Sequence, residues 1–250
     1  MRKMTIELQQ RDVELLRFVY AHRVVSYSQV LRKFFTDRHK STAAHRLKRL
    51  RKHGYVKSAF MPIRNGCAER YLMPSEKSYE VVRHHWGFEI DRPHYKSESI
   101  VHDLRLVDLV LRMEKLTQFQ KLLPENLLQS SSSLTHDPHL GDLVRAQSDG
   151  ALYIAGKSGR GFLFALEMEL STKNIERYKS KLSSYYLAER IDGVLYVCAD
   201  QVIVSLLAKA DKEARKDQRS RLHFVLEADA IADSDKITFR NTENKSFNLR

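Results

Sequence analysis

Cysteine is almost missing from this chain: Cys67 and Cys198 are the only two among 250 residues. They lie far apart and neither sits in a CxxC pair, so neither a disulfide framework nor a zinc ribbon is implied, and two reduced thiols are the expectation. Long apolar runs are missing as well. Nothing approaches the roughly 18 consecutive apolar residues of a membrane span, and the opening MRKMTIELQQ carries no apolar stretch of secretory type, so a cytoplasmic protein with no membrane partner is expected. There is no phosphate-binding glycine loop, no dinucleotide fingerprint, no nucleophile paired with a base and no internal repeat, which leaves most enzyme classes without support.

What the chain does have is charge, unevenly spread. Its formal net charge is +12, and all of it falls in the first 96 residues, where 21 Lys and Arg face 9 Asp and Glu; from Ser97 onward 22 face 22. A basic half is thus joined to an electrically balanced half, and with 42% hydrophobic residues each is able to bury a core. A one-sided excess of this size points to a partner made of phosphates.

In the basic half, Val13, Leu16, Val19 and Tyr20 form the stripe of an amphipathic helix over Arg11 to His22. Ser26 with Gln29 three residues later is a capping box that opens a second helix, reaching Phe34. Ser41 is the expected N-cap of a third and most basic helix, KSTAAHRLKRLRK, with Ala44, Leu47 and Leu50 on its apolar side and Gly54 at its end. Tyr55 to Met61 and Arg70 to Met73 read as strands around Asn65-Gly66, a pair suited to a tight hairpin. Three helices followed by a hairpin resemble the winged helix-turn-helix domains of bacterial regulators, and RLKRLRKHGYV resembles their passage from recognition helix to wing. In that arrangement Ser41, Thr42, His45, Arg46 and Arg49 lie nearest base edges, and Arg64 at the wing tip reaches a phosphate or the minor groove. Lys40, Lys48, Arg51, Lys52 and Lys57 complete the DNA-binding set, mainly as phosphate contacts. A further helix is expected over Ser75 to Trp86; His84 and His85, adjacent and so about 100° apart on it, are poorly placed for one metal. The domain is expected to occupy residues 1–87, with a linker over 88–96.

In the balanced half, residues 97–250, a long amphipathic helix from Glu98 to Leu116 comes first, then a strand at Phe119 to Leu123. A Ser-rich loop without periodicity follows, in which His136 and His139 lack a third ligand for a metal site. Ala151 to Ile154 and Phe162 to Leu170 read as two strands, Lys173 to Glu189 as a helix that buries Ile175, Tyr178, Leu182 and Tyr185, and Gly193 to Cys198 as an apolar strand. A helix over Val202 to Lys216 and strands at His223 to Leu226 and Lys236 to Arg240 extend the sheet. Asp149 enters the first strand of the central pair, and Glu167 and Glu169, two apart, share a face of the second.

This αβββαβ order, with one acid before a strand and an acidic pair on the next, resembles the PD-(D/E)xK nuclease fold. The resemblance implies that Asp149 and Glu167 hold a divalent ion such as Mg2+ or Mn2+. It places Glu169 where the water-activating lysine should be and leaves Lys173, at the start of the next helix, as the substitute. Gln147-Ser148-Asp149-Gly150 also departs from the proline-aspartate form of that strand. Taken together, the winged helix, VHDLRLVDL, SDGALYI and EMELSTK with the helix bearing RYKSKLSSYY resemble the replication-relaxation family of bacterial and plasmid-borne proteins, over Arg11 to Cys198.

The expected fold is therefore a two-domain α+β or α/β chain, a winged helix-turn-helix followed by a nuclease-like domain. The resemblance implies a sequence-specific, non-catalytic binder of double-stranded DNA, without a cofactor, acting as a homodimer in replication and topology control or in transcriptional regulation, with a replication or mobilisation protein as a further partner. The alternative is a metal-dependent DNA endonuclease using Asp149, Glu167, Glu169 and Lys173.

Overall fold

The computed structural model describes residues 6–62, 68–156, 159–216, 218–243 and 245–250. The backbone is mixed α+β, with a three-stranded and a seven-stranded sheet, and it divides into two units, Met1–Asp108 and Leu109–Arg250. Among the described residues no helix is long and apolar enough to cross a membrane.

In the first unit, helix α1, Gln10–His22, is fixed at its start by the Asp12 carboxylate, which accepts the Gln9 N–H at 2.8 Å. It buries Leu15, Leu16, Val19 and Tyr20. Strand β1, Val25–Ser26, runs straight into helix α2, Tyr27–Phe34, through the expected capping box: the Gln29 N–H donates to Ser26 Oγ at 3.2 Å and the Ser26 N–H to Gln29 Oε1 at 2.8 Å. Helix α3, Lys40–Lys52, begins two residues earlier than its serine suggests. His39, not Ser41, is the N-cap; its Nδ1 accepts the Ser41 N–H at 3.3 Å. Ala43, Leu47 and Leu50 are its buried residues, and Ala44 is exposed, because spacings of four and three put residue 43, not 44, above Leu47 and Leu50. Gly54, at φ +77°, turns the chain out of the helix.

Strands β2, Val56–Pro62, and β3, Ala68–Pro74, then pair antiparallel from Val56↔Pro74 to Pro62↔Ala68, and β1 adds to the free edge of β3 to give the order β1-β3-β2. The turn between them, with Arg64, Asn65-Gly66 and Cys67, lies outside the described residues. Helix α4, Glu76–Val82, is shorter than its pattern suggests. His84 and His85 lie exposed beyond it. The stretch expected to be a linker packs onto this unit: Ile90 is buried, its carbonyl accepts the Tyr79 hydroxyl at 2.8 Å, and the Tyr95 ring lies 6.4 Å from that of Tyr20. Helix α5, Ile100–Met113, crosses the unit boundary. Its Leu104 joins Val24 and Tyr71 in a core against which Ala59, Met61 and Met73 pack.

The second unit is a single seven-stranded sheet with helices. Strand β4, Phe119–Pro124, leads into three short helices, α6 at Glu125–Gln129, α7 at Ser132–Thr135 and α8 at Gly141–Arg145. The Ser-rich segment, expected to be a loop without periodicity, thus contains short helical turns between irregular stretches, and Asp137 Oδ1 orders its middle by accepting the N–H groups of His139 and Leu140, both at 2.8 Å. Strands β5, Gly150–Ala155, and β6, Gly161–Glu169, form an antiparallel hairpin. Helix α9, Ile175–Leu187, then carries the chain back to β7, Gly193–Cys198, parallel to β6, the crossover that parallel strands require. Helix α10, Gln201–Ala214, and strand β8, Leu222–Leu226, repeat this connection. Helix α11, Glu227–Ile231, and strands β9, Ile237–Asn241, and β10, Ser246–Leu249, complete the order β10-β9-β8-β7-β6-β5-β4.

Candidate functional site

Two places in the structure gather the residues that the sequence singles out, one in each unit. On α3, the apolar stripe of Ala43, Leu47 and Leu50 faces the core, and Ser41, His45, Lys48 and Lys52 lie on the opposite side, all exposed. Spacings of four, three and four make these four residues one continuous line along the helix. Lys40, Thr42 and Arg51 flank it and are exposed, and Arg49 is half-buried. Arg51 also donates to Ser58 Oγ on β2 at 3.3 Å. This contact ties the cationic end of α3 to the hairpin, where Lys57 is exposed and the Arg70 guanidinium lies 4.8 Å above the exposed Phe60 ring. At the end of α3, Lys77 donates to the His53 carbonyl at 2.9 Å. Arg64 lies outside the described residues.

Arg46 is the exception among the cations expected at base edges. Its guanidinium turns back to α1, where Nε donates to Asp12 Oδ1 at 3.0 Å, one terminal nitrogen pairs with Asp12 Oδ2, and the same nitrogen reaches the Glu7 carbonyl at 2.8 Å. The Asp12 side chain is 1% exposed and that of Arg46 12%. The hydrogen bond to Asp12 holds the Arg46 guanidinium above its already high pKa. Arg46 thus forms an ion-pair clamp between α3 and α1, its guanidinium turned to the buried Asp12 carboxylate and away from the exposed line of α3.

In the second unit, Asp149 precedes β5, and its Oδ2 accepts the Met168 N–H of β6 at 2.7 Å. Glu167, on β6, is buried. Both of its oxygens are taken from α9: Lys181 Nζ lies 2.5 Å from Oε2, and the Tyr185 hydroxyl donates to Oε1. Lys181 also donates to the Gln147 carbonyl at 3.3 Å. Burial pushes the Glu167 carboxyl up to about 7, with Lys181 pulling it down and Asp149 pushing it further up. For the Lys181 ammonium, burial acts downward, but the carboxylates of Glu167 and Asp149 outweigh it and hold the group above its ordinary value. Burial and Glu167 together raise the Tyr185 phenol well above its ordinary value.

Glu169 and Lys173 stand apart from this cluster. Lys173 Nζ lies 3.4 Å from Glu169 and donates to Ser171 Oγ at 2.7 Å, so it does not bend back toward Asp149 as a substitute lysine must. The sequence reading missed Lys181. The signal was there: Tyr178, Lys181, Leu182 and Tyr185, at spacings of three, one and three, form one helical stripe, and a lysine on the buried side of such a stripe requires a counter-ion. Each Glu167 oxygen already accepts a hydrogen bond from α9, and the Lys181 ammonium stands where a divalent ion on Glu167 would have to bind. Among the described residues no group of three or more His, Cys, Asp or Glu side chains is gathered closely enough to hold a metal.

A family model described as replication-relaxation matches residues 16–192, from the middle of α1 to the residue before β7. No curated protein and no solved structure matches the chain.

Proposed function

The chain belongs to the replication-relaxation family, and from that premise we propose that it binds double-stranded DNA through α3 and the β2–β3 hairpin, serving replication and topology control. On this reading the first unit is a winged helix-turn-helix with α3 as recognition helix and the hairpin as wing. The observation that carries it is the exposed line of Ser41, His45, Lys48 and Lys52, directly opposite the buried face of α3. A helix of that width with polar and cationic groups on its outer side suits the major groove, where His45 and Ser41 meet base edges and Lys48 and Lys52 meet phosphates. Arg51 and Lys57 supply further phosphate contacts where α3 meets the hairpin.

In this proposal the second unit, with its seven-stranded sheet, is a nuclease-like scaffold without catalysis, on which the chain pairs as a homodimer over a two-fold DNA site. Transcriptional control and contact with a replication or mobilisation protein are compatible uses of the same binding. The juxtaposition of Asp149 and Glu167 favours one competing reading, a metal-dependent endonuclease; the engagement of Glu167 by Lys181 and Tyr185 weighs against it. Incubation of the purified chain with supercoiled plasmid and Mg2+ or Mn2+ separates the two. The proposal expects a mobility shift with intact plasmid. Metal-dependent cutting that disappears in Asp149→Ala would establish the endonuclease instead.

A further inference from the structure

The acid pair of the second unit requires positive charge, and the chain supplies it from its own helix. Glu167, with a side chain 5% exposed, gives Oε2 to the Lys181 ammonium at 2.5 Å and Oε1 to the Tyr185 hydroxyl. The same ammonium reaches the Gln147 carbonyl at 3.3 Å, two residues before Asp149, and interacts electrostatically with Asp149 and Glu125. Asp149 is fixed in turn by the Met168 N–H at 2.7 Å, next in sequence to Glu167. A buried carboxylate is tolerated only with a partner charge and satisfied oxygens, and here one helical turn of α9 provides both, since Lys181 and Tyr185 are four residues apart. A second cation entering the same space would meet the ammonium at close range in a medium that screens it poorly.

We propose that the Lys181 ammonium is the resident cation of this site, filling the place between Asp149 and Glu167 that a divalent ion would otherwise take, so that the native chain holds no metal there and removal of the ammonium creates a site for one. The inference stands whether or not the first unit binds DNA. It makes Lys181 a positioning residue that locks α9 onto the β5–β6 hairpin, and it gives a physical reason for a nuclease-like sheet without nuclease chemistry.

The test is calorimetric titration of MnCl2 into the full chain at pH 8. The wild type and Lys181→Arg, which keeps the cation, should show no saturable binding. Lys181→Met should take up one Mn2+ at least tenfold more tightly than the wild type, and the double variant Lys181→Met/Asp149→Asn should lose it. If Lys181→Met is too unstable to titrate, Mn2+ should restore its melting transition, since a ligand of the folded state stabilises it. Wild-type binding of one Mn2+ that is lost in Asp149→Asn would overturn the proposal. So would a Lys181→Met chain that neither binds Mn2+ better than the wild type nor is stabilised by it.

Discussion

Arg46 of α3 and Asp12 of α1, 34 residues apart in sequence, form a two-pronged ion pair in which the carboxylate is almost wholly buried. Breaking such a pair from one side leaves an uncompensated buried charge, which costs about 3 to 5 kcal/mol. Arg46→Ala should therefore lower stability by about 3 kcal/mol in urea unfolding and leave the rank order of preferred DNA sequences unchanged. A fully stable Arg46→Ala chain with altered sequence preference would place Arg46 among the base readers.

The Tyr185 hydroxyl donates to the buried Glu167 carboxylate. Hydrogen bonds to charged groups contribute about 1.5 to 3 kcal/mol, so Tyr185→Phe should destabilise the chain by about 2 kcal/mol in the same measurement. A loss below about 0.5 kcal/mol, the lower end for a neutral bond, would mean that Lys181 alone satisfies Glu167.

His22 is buried on α1, its ring 4.6 Å from that of Phe18. Burial lowers its pKa to about 3, with Asp103 opposing and Lys33 and Arg23 assisting. Because the folded state resists a proton that the unfolded chain accepts from about pH 6.5 downward, the contribution of His22 is complete above pH 6.5 and is lost as pH falls toward 3. The stability curve should slope by about 1.4 kcal/mol per pH unit in that window on this account. In His22→Gln that part of the slope should vanish; an unchanged acid limb would assign it to other groups.

How much of this was legible in the sequence depended on how local the determining interaction is. The bounds of β7, Gly193–Cys198, follow from an apolar run that is buried throughout, and the start of α2 follows from a capping box contained within four residues. Strand β10 escaped notice because SFNL is half polar and pairs only at the sheet edge, with β9. The short helices α6 to α8 were hidden by serines and a proline that suggest a loop. In the candidate sites, Arg46 looked like its basic neighbours because its partner is supplied by another helix. Lys181 was visible in principle, as a charge on an apolar stripe, but the carboxylate it answers lies 14 residues away on β6.

If Lys48 and Lys52 touch phosphates, each should contribute about one unit to the dependence of log K on log salt. Lys48→Ala and Lys52→Ala should each flatten that slope by about one and weaken all duplex sequences alike. His45→Ala should instead cost about 1 to 3 kcal/mol on the preferred sequence alone. Equal losses on every sequence for all three variants would remove His45 from the base readers.

The most direct test of the central claim, that the exposed line of α3 is the DNA-binding surface, is fluorescence anisotropy of a labelled duplex with the full chain and with the triple variant His45→Ala/Lys48→Ala/Lys52→Ala. These residues are exposed, so the melting temperature should not change. The account predicts salt-sensitive binding by the wild type and a Kd weakened about a hundredfold in the variant, the sum of three losses of about 1 kcal/mol each. A variant that keeps its melting temperature and binds the duplex as tightly as the wild type would contradict it.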